Sequence, residues 1–434
     1  MFPADDIKRA YGVAPVRTPE MAEAISLWMQ MFAGSASWCD EFVKSLHVEA
    51  AIVREFADIT LNEMNAAVDN DKLNKILTRS LRNLNAEFRR GLASGALIIK
   101  PLGGDHVQYV AQDKFVPVKY DSFGRLTSVI FPDRIKRGEN AYLTRLEYHD
   151  LSDGRLTICN KAFYSGNRNE LGREINLDTV PEWSGLLPEV TYPSDRPIYG
   201  YYKNPNVNTI DGSAEGVSIF EPAVDLIRKT DMQFGRLDWE FESGERAIYA
   251  SPFAIEPKYR DGKKSVTPKL NKRLFRALDI DNDNNDFYKE FSPVLRQSDI
   301  ISGLDEYKRN IEFAVGLSYG DLSNPQSVDK TATEIKAAKQ RKYNTVTAIQ
   351  NNLRDCLDDL VYALAFHNAM TKSGYEFTCT FNDSILTDEA TERAQDERDI
   401  ANGIMRPEEY RAKWYGETIE AALANLPEST RVIE

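Results

Sequence analysis

The sequence predicts an α+β protein in which helix-forming and strand-forming stretches are segregated along the chain. Three observations predict it. Apolar residues recur at helical spacing through most of the first hundred residues. The period changes to two between Ala96 and about Ile175. A run from Lys330 to Thr371 then carries a helical apolar stripe with no Pro or Gly to interrupt it.

Taken in order, Pro19 opens a helical segment through Phe32. A second runs from about Ser45 to Val68, with Val48, Ile52, Phe56 and Ile59 on one face. A third covers Lys72 to Arg90, with Leu73, Leu77, Leu81, Leu84 and Phe88 in register, and Gly91 and Gly95 punctuate its end. ALIIKPL, HVQYVAQ, FVPVKY and LTSVIF then alternate or run apolar between turn signals. RLEYHD and RLTICNK flank LSDG, where Asp-Gly readily takes the positive φ angles of a tight hairpin. This is an antiparallel β-rich region, and His106 and His149 read as ordinary strand positions without carboxylate company at ligand spacing. Residues 181–216 are irregular and rich in Pro, Tyr and Asn, a long connection and a domain boundary.

A second long helix opens at Ser218, where SIFE reads as a capping box. The Ser218 hydroxyl would take an orphan N–H while Glu221 reaches back, and Pro222 fits the first turn. The helix continues to Ser243-Gly244. Residues 245–298 form a compact insert, and a third helix, Ser298–Ser318, leads back. A polar turn, Tyr319–Asp329, follows; it contains Gly320 and Pro325, has almost no apolar anchor and is expected to be mobile.

The run from Lys330 to Thr371 places Ile335, Val346, Ile349, Leu353, Leu357, Leu360 and Leu364 on one stripe. At about 1.5 Å per residue it spans about 60 Å, so a kink or an oligomeric role is expected. Its first third is basic (Lys330, Lys336, Lys339, Arg341, Lys342) and its second half acidic (Asp355, Asp358, Asp359), which reads by default as a solvated face. GYEFTCTFNDSIL then reads as a strand returning to the β region. The tail reads as two short helices broken at Asn402-Gly403 and Gly416.

The 434 residues suffice for roughly two to four domains. A net charge of −13 argues against simple coating of DNA, which needs a basic surface to release counterions. Cys39, Cys159, Cys356 and Cys379 lie far apart and read as free thiols of a reducing compartment. No signal peptide or membrane span is expected at MFPADDIKRAYG or at Ile25–Gly34, so the chain reads as soluble and intracellular.

Gly262-Lys263-Lys264-Ser265 lacks the upstream glycine of a phosphate-binding loop, and no HExxH or GxSxG occurs. Asp279, Asp281, Asp283 and Glu290 match the carboxylate spacing of a calcium loop. Asn284 stands where the turn wants glycine and Asp286 where an apolar residue packs, so a solvated acidic loop is the better reading. Glu408–Glu409 reads as an exposed helical pair. No metal, cofactor or catalytic residue is expected.

Three stretches carry a resemblance: GVSIFEPAVDLIRKTD (Gly216–Asp231), GLSYGDLS with KTATEIKAAKQRKYNT (Gly316–Thr345), and SLHVEAAIVREFADITLNE (Ser45–Glu63). With ANGIMRPEEYRAKWYGET in the tail, their order resembles the portal (head–tail connector) proteins of tailed bacteriophages, in the type found in siphophages of Gram-positive hosts. The resemblance implies a portal fold: a wing over 1–217, stem helices at 218–244 and 298–318 around a clip at 245–297, and a tunnel loop at 319–329. The long kinked wing helix and its return strand would cover 330–387, and a helical crown 388–434.

It also implies a non-enzymatic dodecameric ring at one capsid vertex, assembled in the host cytoplasm. Double-stranded DNA would pass through it without sequence readout. Partners would be the terminase large subunit, the head–tail adaptor, and the major capsid and scaffolding proteins, with no membrane. The residues implied to face DNA are Ser323, Asn324, Pro325, Gln326, Ser327, Lys330, Lys336 and Lys339. Twelve chains of charge −13 carry on the order of −150 charges, so such a channel would hold its cargo weakly. The alternatives are a metal-dependent nucleic-acid enzyme using residues 279–290, or a capsid scaffold that forms no ring.

Overall fold

The structure, a computed structural model, describes residues 3–250, 259–260, 263–264, 275–277, 288–325, 332–371, 374–381, 389–415 and 418–426. It is a mixed α+β chain. Contacts divide it into two compact units, Met1–Asp58 with Ala67–Phe377, and Ile59–Ala66 with Thr378–Glu434.

Helices α1 (Ala4–Tyr11), α2 (Pro19–Phe32) and α3 (Val48–Asn62) come first. Pro19 starts α2 where its missing N–H costs nothing, and the Thr18 hydroxyl accepts the Met21 N–H at 3.1 Å. Met21, Ile25, Trp28 and Met31 bury one stripe of it. The helix expected to reach Val68 stops at Asn62. Strand β1 (Met64–Val68) follows, because pairing of its backbone outweighs the helical preference of its residues.

The single helix expected over Lys72–Arg90 is two, α4 (Asp71–Ser80) and α5 (Leu84–Ser94). A continuous helix would bond the Leu84 N–H to the Ser80 carbonyl. Instead the Tyr109 hydroxyl donates to that carbonyl at 2.7 Å, and Leu84 N–H turns to the Leu81 carbonyl. Gly91 lies inside α5, where a Cβ would come within 2.8 Å of the Leu97 Cβ. Gly95 ends α5 with φ +112°, its backbone against that of Gly216, so no larger residue fits there.

Strands β2 (Ala96–Gly103), β3 (His106–Ala111), β4 (Val116–Tyr120), β5 (Leu126–Lys136), β6 (Tyr142–Ser152), β7 (Arg155–Ser165), β8 (Arg173–Ile175), β9 (Glu189–Pro193) and β10 (Gly200–Lys203) form two antiparallel sheets. The larger has the order β4-β5-β6-β7-β8, with β9 also on β7; the smaller is β10-β2-β3. The LSDG turn holds Asp153 and Gly154 at φ +52° and +72°, the tight hairpin its sequence predicts. The region expected to be irregular contributes two strands, β9 and β10, whose pairing partners lie 30 or more residues away.

One face of the larger sheet is covered by α1, with Ile7 and Ala10 against Val116, Val118, Ile130, Leu146 and Phe163. On β2, Ala96 and Ile98 pack with Phe115, Val129, Phe131 and Tyr199.

Helix α6 (Val224–Ser243) follows a 3-10 turn at Glu221–Ala223. The expected capping box does not form. The Ser218 hydroxyl accepts the Phe220 N–H at 3.4 Å, and the Glu221 carboxylate accepts the Thr209 hydroxyl at 2.9 Å. Of the insert, β11 (Ala247–Ala250), β12 (Tyr259–Arg260), β13 (Lys263–Lys264), β14 (Phe275–Ala277) and β15 (Tyr288–Phe291) are described. There β11 runs parallel to β14 and antiparallel to β15.

Helix α7 (Gln297–Val315) returns alongside α6, tied to it where the Glu240 carboxylate accepts the Arg296 N–H and guanidinium, both at 2.8 Å. Helix α8 (Ala332–His367) buries Val346, Ile349, Leu353, Leu357, Leu360 and Leu364, the stripe its sequence predicts. It lies against β10 so closely that a Cβ on Gly200 would come within 2.4 Å of the Cys356 carbonyl. Two of its acidic residues are structural: Asp358 and Asp359 bind Arg196 at 2.6 and 2.5 Å.

Strand β16 (Phe377–Phe381) does not return to the larger sheets; it pairs with β1 in a sheet of two. Helices α9 (Glu389–Ala401), α10 (Pro407–Tyr415) and α11 (Ile419–Ala424) end the described chain, one more helix than the tail predicts. The Asp396 carboxylate joins α9 to α10, accepting from Lys413 and from the Trp414 indole at 2.7 and 2.8 Å.

A buried acid marks the contact of the Ser35–His47 loop with α6. Asp231 on α6 accepts the Trp38 indole N–H at 2.9 Å and the Leu46 N–H at 2.8 Å. Glu49 is fully buried with one oxygen unpartnered, and burial, with Asp231 adding to it, pushes its carboxyl up to about 7. An unfolded glutamate ionises near pH 4.3, so between about pH 4 and 7 the folded chain holds a proton that the unfolded one has lost. Stability therefore falls as pH rises through that window. Glu49→Gln is expected to flatten this dependence and to stabilise the protein at pH 8 by on the order of 2 kcal/mol in denaturant titrations.

Candidate functional site

The described part of the turn between α7 and α8 contains three of the residues singled out in the sequence, and Glu312 sets its geometry. This carboxylate on the last turns of α7 is fully buried. One oxygen accepts the backbone N–H groups of Gly320, Leu322 and Ser323 at 3.1, 2.6 and 2.7 Å, and the other accepts the Ser323 hydroxyl at 2.9 Å. Four donors on one buried anion satisfy it as a well-made nest must. Gly316 caps α7 at φ +83° and Gly320 takes φ +98°, which lets the chain fold back over the helix end.

Further contacts hold the turn from both sides. Asp305 accepts the Asn324 N–H at 2.6 Å, and Asp321 accepts the Ser318 N–H at 2.8 Å. Lys342 on α8 bridges Asp321 at 3.0 Å and Glu55 at 2.8 Å. The Arg341 guanidinium lies over the rings of Phe313 and Tyr319, 4.7 and 5.4 Å from their centroids.

The segment expected to be mobile for want of apolar anchors has polar ones over residues 319–324. Ser323 is buried against Glu312, whereas Asn324 and Pro325 are exposed. Gln326, Ser327 and Lys330 lie outside the described residues. Lys336 lies on α8, and Lys339 is exposed on it.

A second polar site was not legible as one. On the face of the larger sheet away from α1, β6 presents Arg145, Glu147 and His149 at alternate positions. Glu147 meets Lys100 of β2 at 2.6 Å, Arg145 at 3.2 Å and His149 Nε2 at 2.7 Å. The reading of His149 as a strand residue without a carboxylate partner is thus corrected, since the partner stands two residues away on its own strand.

The neighbouring cations and His149 hold the Glu147 carboxyl far below its ordinary range, so it accepts and His149 Nε2 carries the hydrogen. Burial lowers the His149 pKa, leaving a neutral ring whose Nδ1 is enclosed and without a hydrogen-bond partner. Burial also lowers Lys100, which sits 4.7 Å from the Phe131 ring centroid.

Two clefts of about 480 and 730 Å³ meet over Lys100 and Arg145. The cluster is a structural hub with charged walls. His149 lines the smaller cleft, and its unpartnered Nδ1 is itself buried.

Of the calcium-like spacing, Asp279, Asp281 and Asp283 lie outside the described residues, and Glu290 on β15 is ion-paired with Arg246. Among the described residues no group of three or more His, Cys, Asp or Glu is placed to hold a metal ion, and no helix is long and apolar enough to cross a membrane. No protein-family model matches the chain, and no curated protein matches it.

Replacing Glu312 with Ala leaves four donors, two of them buried, without their acceptor. The expected result is a loss of about 3–5 kcal/mol of stability, with hydrogen exchange at Gly320, Leu322 and Ser323 accelerated above that of the α8 core. Unchanged protection of those amides would contradict the assignment.

Proposed function

We propose that this chain is a portal protein of a tailed bacteriophage, the subunit of a dodecameric ring at one capsid vertex through which double-stranded DNA is packaged and ejected. In this reading α6 and α7 are the stem, the β11–β15 module the clip, and Tyr319–Asp329 the tunnel loop. The N-terminal region with α8 is the wing, and the tail helices are the crown. The ring would dock the terminase large subunit, which supplies the ATPase, and the head–tail adaptor, within a shell of capsid and scaffolding proteins. The chain itself would perform no catalysis.

The observation that carries the reading is the α6–α7 hairpin. Two helices of 20 and 19 residues run out to a small β module and back, and they leave large apolar side chains in water. Trp239 is 61% exposed, Phe241 46%, Ile301 50% and Phe313 58%. A neighbouring copy in a head-to-tail ring would cover them. The pinned turn supports the same reading. It projects Asn324 and Pro325 from a fixed base, and identical turns from twelve copies would line an axial opening with polar atoms that touch DNA without reading its sequence.

Trp239→Glu and Phe313→Glu are each expected to leave far-ultraviolet circular dichroism unchanged. Each should weaken subunit association by more than about 30-fold in sedimentation velocity, the scale of a lost interface hot spot. Assembly of both variants at wild-type concentrations would remove the hairpin from the interface and with it the main support for the ring.

A further inference from the structure

We infer that the Ser35–His47 loop is a latch on α6 that proton uptake holds shut and proton loss loosens, with the carboxylates of Asp231 and Glu49 as its sensor. The inference goes beyond the pH dependence of overall stability, because it assigns the response to one segment, and it does not rest on the ring reading.

The loop is built to move as a unit. Its two ends stand together, since a Cβ on Gly34 would come within 2.3 Å of the His47 ring. Gly34 takes φ +68° and His47 φ +56°, both in the left-handed region that favours glycine. Segments of this length whose ends touch are compact loops held by their own contacts. Asp40 supplies these contacts here. Its carboxylate accepts the Phe42 and Val43 N–H groups, both at 2.7 Å, and its carbonyl accepts Lys44 Nζ at 2.8 Å. Its own N–H donates to the Val43 carbonyl at 3.0 Å. Of the residues from Ser35 to His47, Ala36 alone is buried, and Phe42 is 67% exposed. Lifting the loop therefore breaks few apolar contacts.

A pair of acids holds it down. Asp231 of α6, buried, accepts the Trp38 indole and the Leu46 N–H. Glu49, in the first turn of α3, accepts the Ser45 hydroxyl at 3.3 Å with one oxygen, and its other oxygen has no hydrogen-bond partner. The two carboxylates thus grip neighbouring residues, Ser45 and Leu46, from two helices. Gly235 lets the loop down onto α6, where a Cβ would come within 2.8 Å of the Phe42 carbonyl.

Two buried carboxylates that feel each other cannot both ionise without cost. Asp231 has two good N–H donors and Glu49 one long hydroxyl contact, so the proton resides on Glu49, whose carboxyl burial and Asp231 push up to about 7. The other groups facing the pair belong to the loop. Burial, Asp231 and Glu49 raise the Cys39 thiol, which stays neutral; Asp40 lies beside it, and exposed His47 faces Asp231. Opening the loop admits water to Glu49, which then ionises near pH 4.3. Between about pH 4 and 7 the closed loop keeps a proton that the open one has lost, so opening becomes more frequent as pH rises and levels off above 7.

The test is amide hydrogen exchange of the full chain between about pH 5 and 8, each rate corrected for intrinsic exchange at that pH. The Leu46 amide is expected to lose protection by about tenfold per pH unit from about 5 to 7 and then to level off. It should not respond to about 1 M urea, because the opening exposes little surface, whereas the amides of buried β2 should exchange more slowly and respond. Glu49→Gln should hold Leu46 protection constant over the whole range, about 100-fold above the wild-type value at pH 8.

Leu46 exchanging in step with β2, with the same rate and urea response, would overturn the latch, since the loop would then open only on global unfolding. Leu46 protection that does not change with pH, or a Glu49→Gln variant that keeps the wild-type slope, would overturn the sensor. Should that variant not fold, the wild-type pH and urea series decides alone. None of these readouts depends on whether the protein forms rings, so the two proposals fail separately.

Discussion

A carboxylate without water around it must be surrounded by donors, and the course of the chain between α7 and α8 follows from that requirement at Glu312. Its two oxygens take three backbone N–H groups and one hydroxyl from a segment of four residues, Gly320 to Ser323. The turn can take few other paths without leaving the charge buried and uncompensated, which costs several kcal/mol. Fixing the turn fixes how α7 hands over towards α8. Lys342, Asp321 and Glu55 then tie the same turn to α3 across a great distance in sequence. In the ring proposed above, the exposed Asn324 and Pro325 would stand on a base held by these contacts.

Five cations brace the fold in the same way: Arg17 on Glu215 at 2.7 Å, Lys100 and Arg145 on Glu147, Arg196 on two aspartates of α8, and Lys342 on Asp321 and Glu55.

Much of this architecture was legible from local signals. The period-two stretches became β2 to β7, Asp153-Gly154 made its hairpin, Thr18-Pro19 started α2, and the stripe from Val346 to Leu364 was buried as its spacing required. The failures share one cause, a partner distant in sequence. Tyr109 took the Ser80 carbonyl and split a helix, β16 drew β1 out of helical form, and Thr209 drew Glu221 out of its capping box. At the site, the polar composition of Tyr319–Asp329 suggested mobility because nothing in the segment reveals that Glu312 waits beneath it. The Glu147–His149 pair was open to reading, since alternate strand positions share a face, but its burial against Lys100 of another sheet was not.

The central claim is that copies of this chain close into a ring around an axial opening. Electron microscopy of the purified full-length protein tests it most directly. The account predicts end-on views of closed rings with a central hole and about twelvefold symmetry, set by the rotation that repeats one head-to-tail contact. Fields of single subunits or open, irregular clusters at every concentration and salt would contradict it.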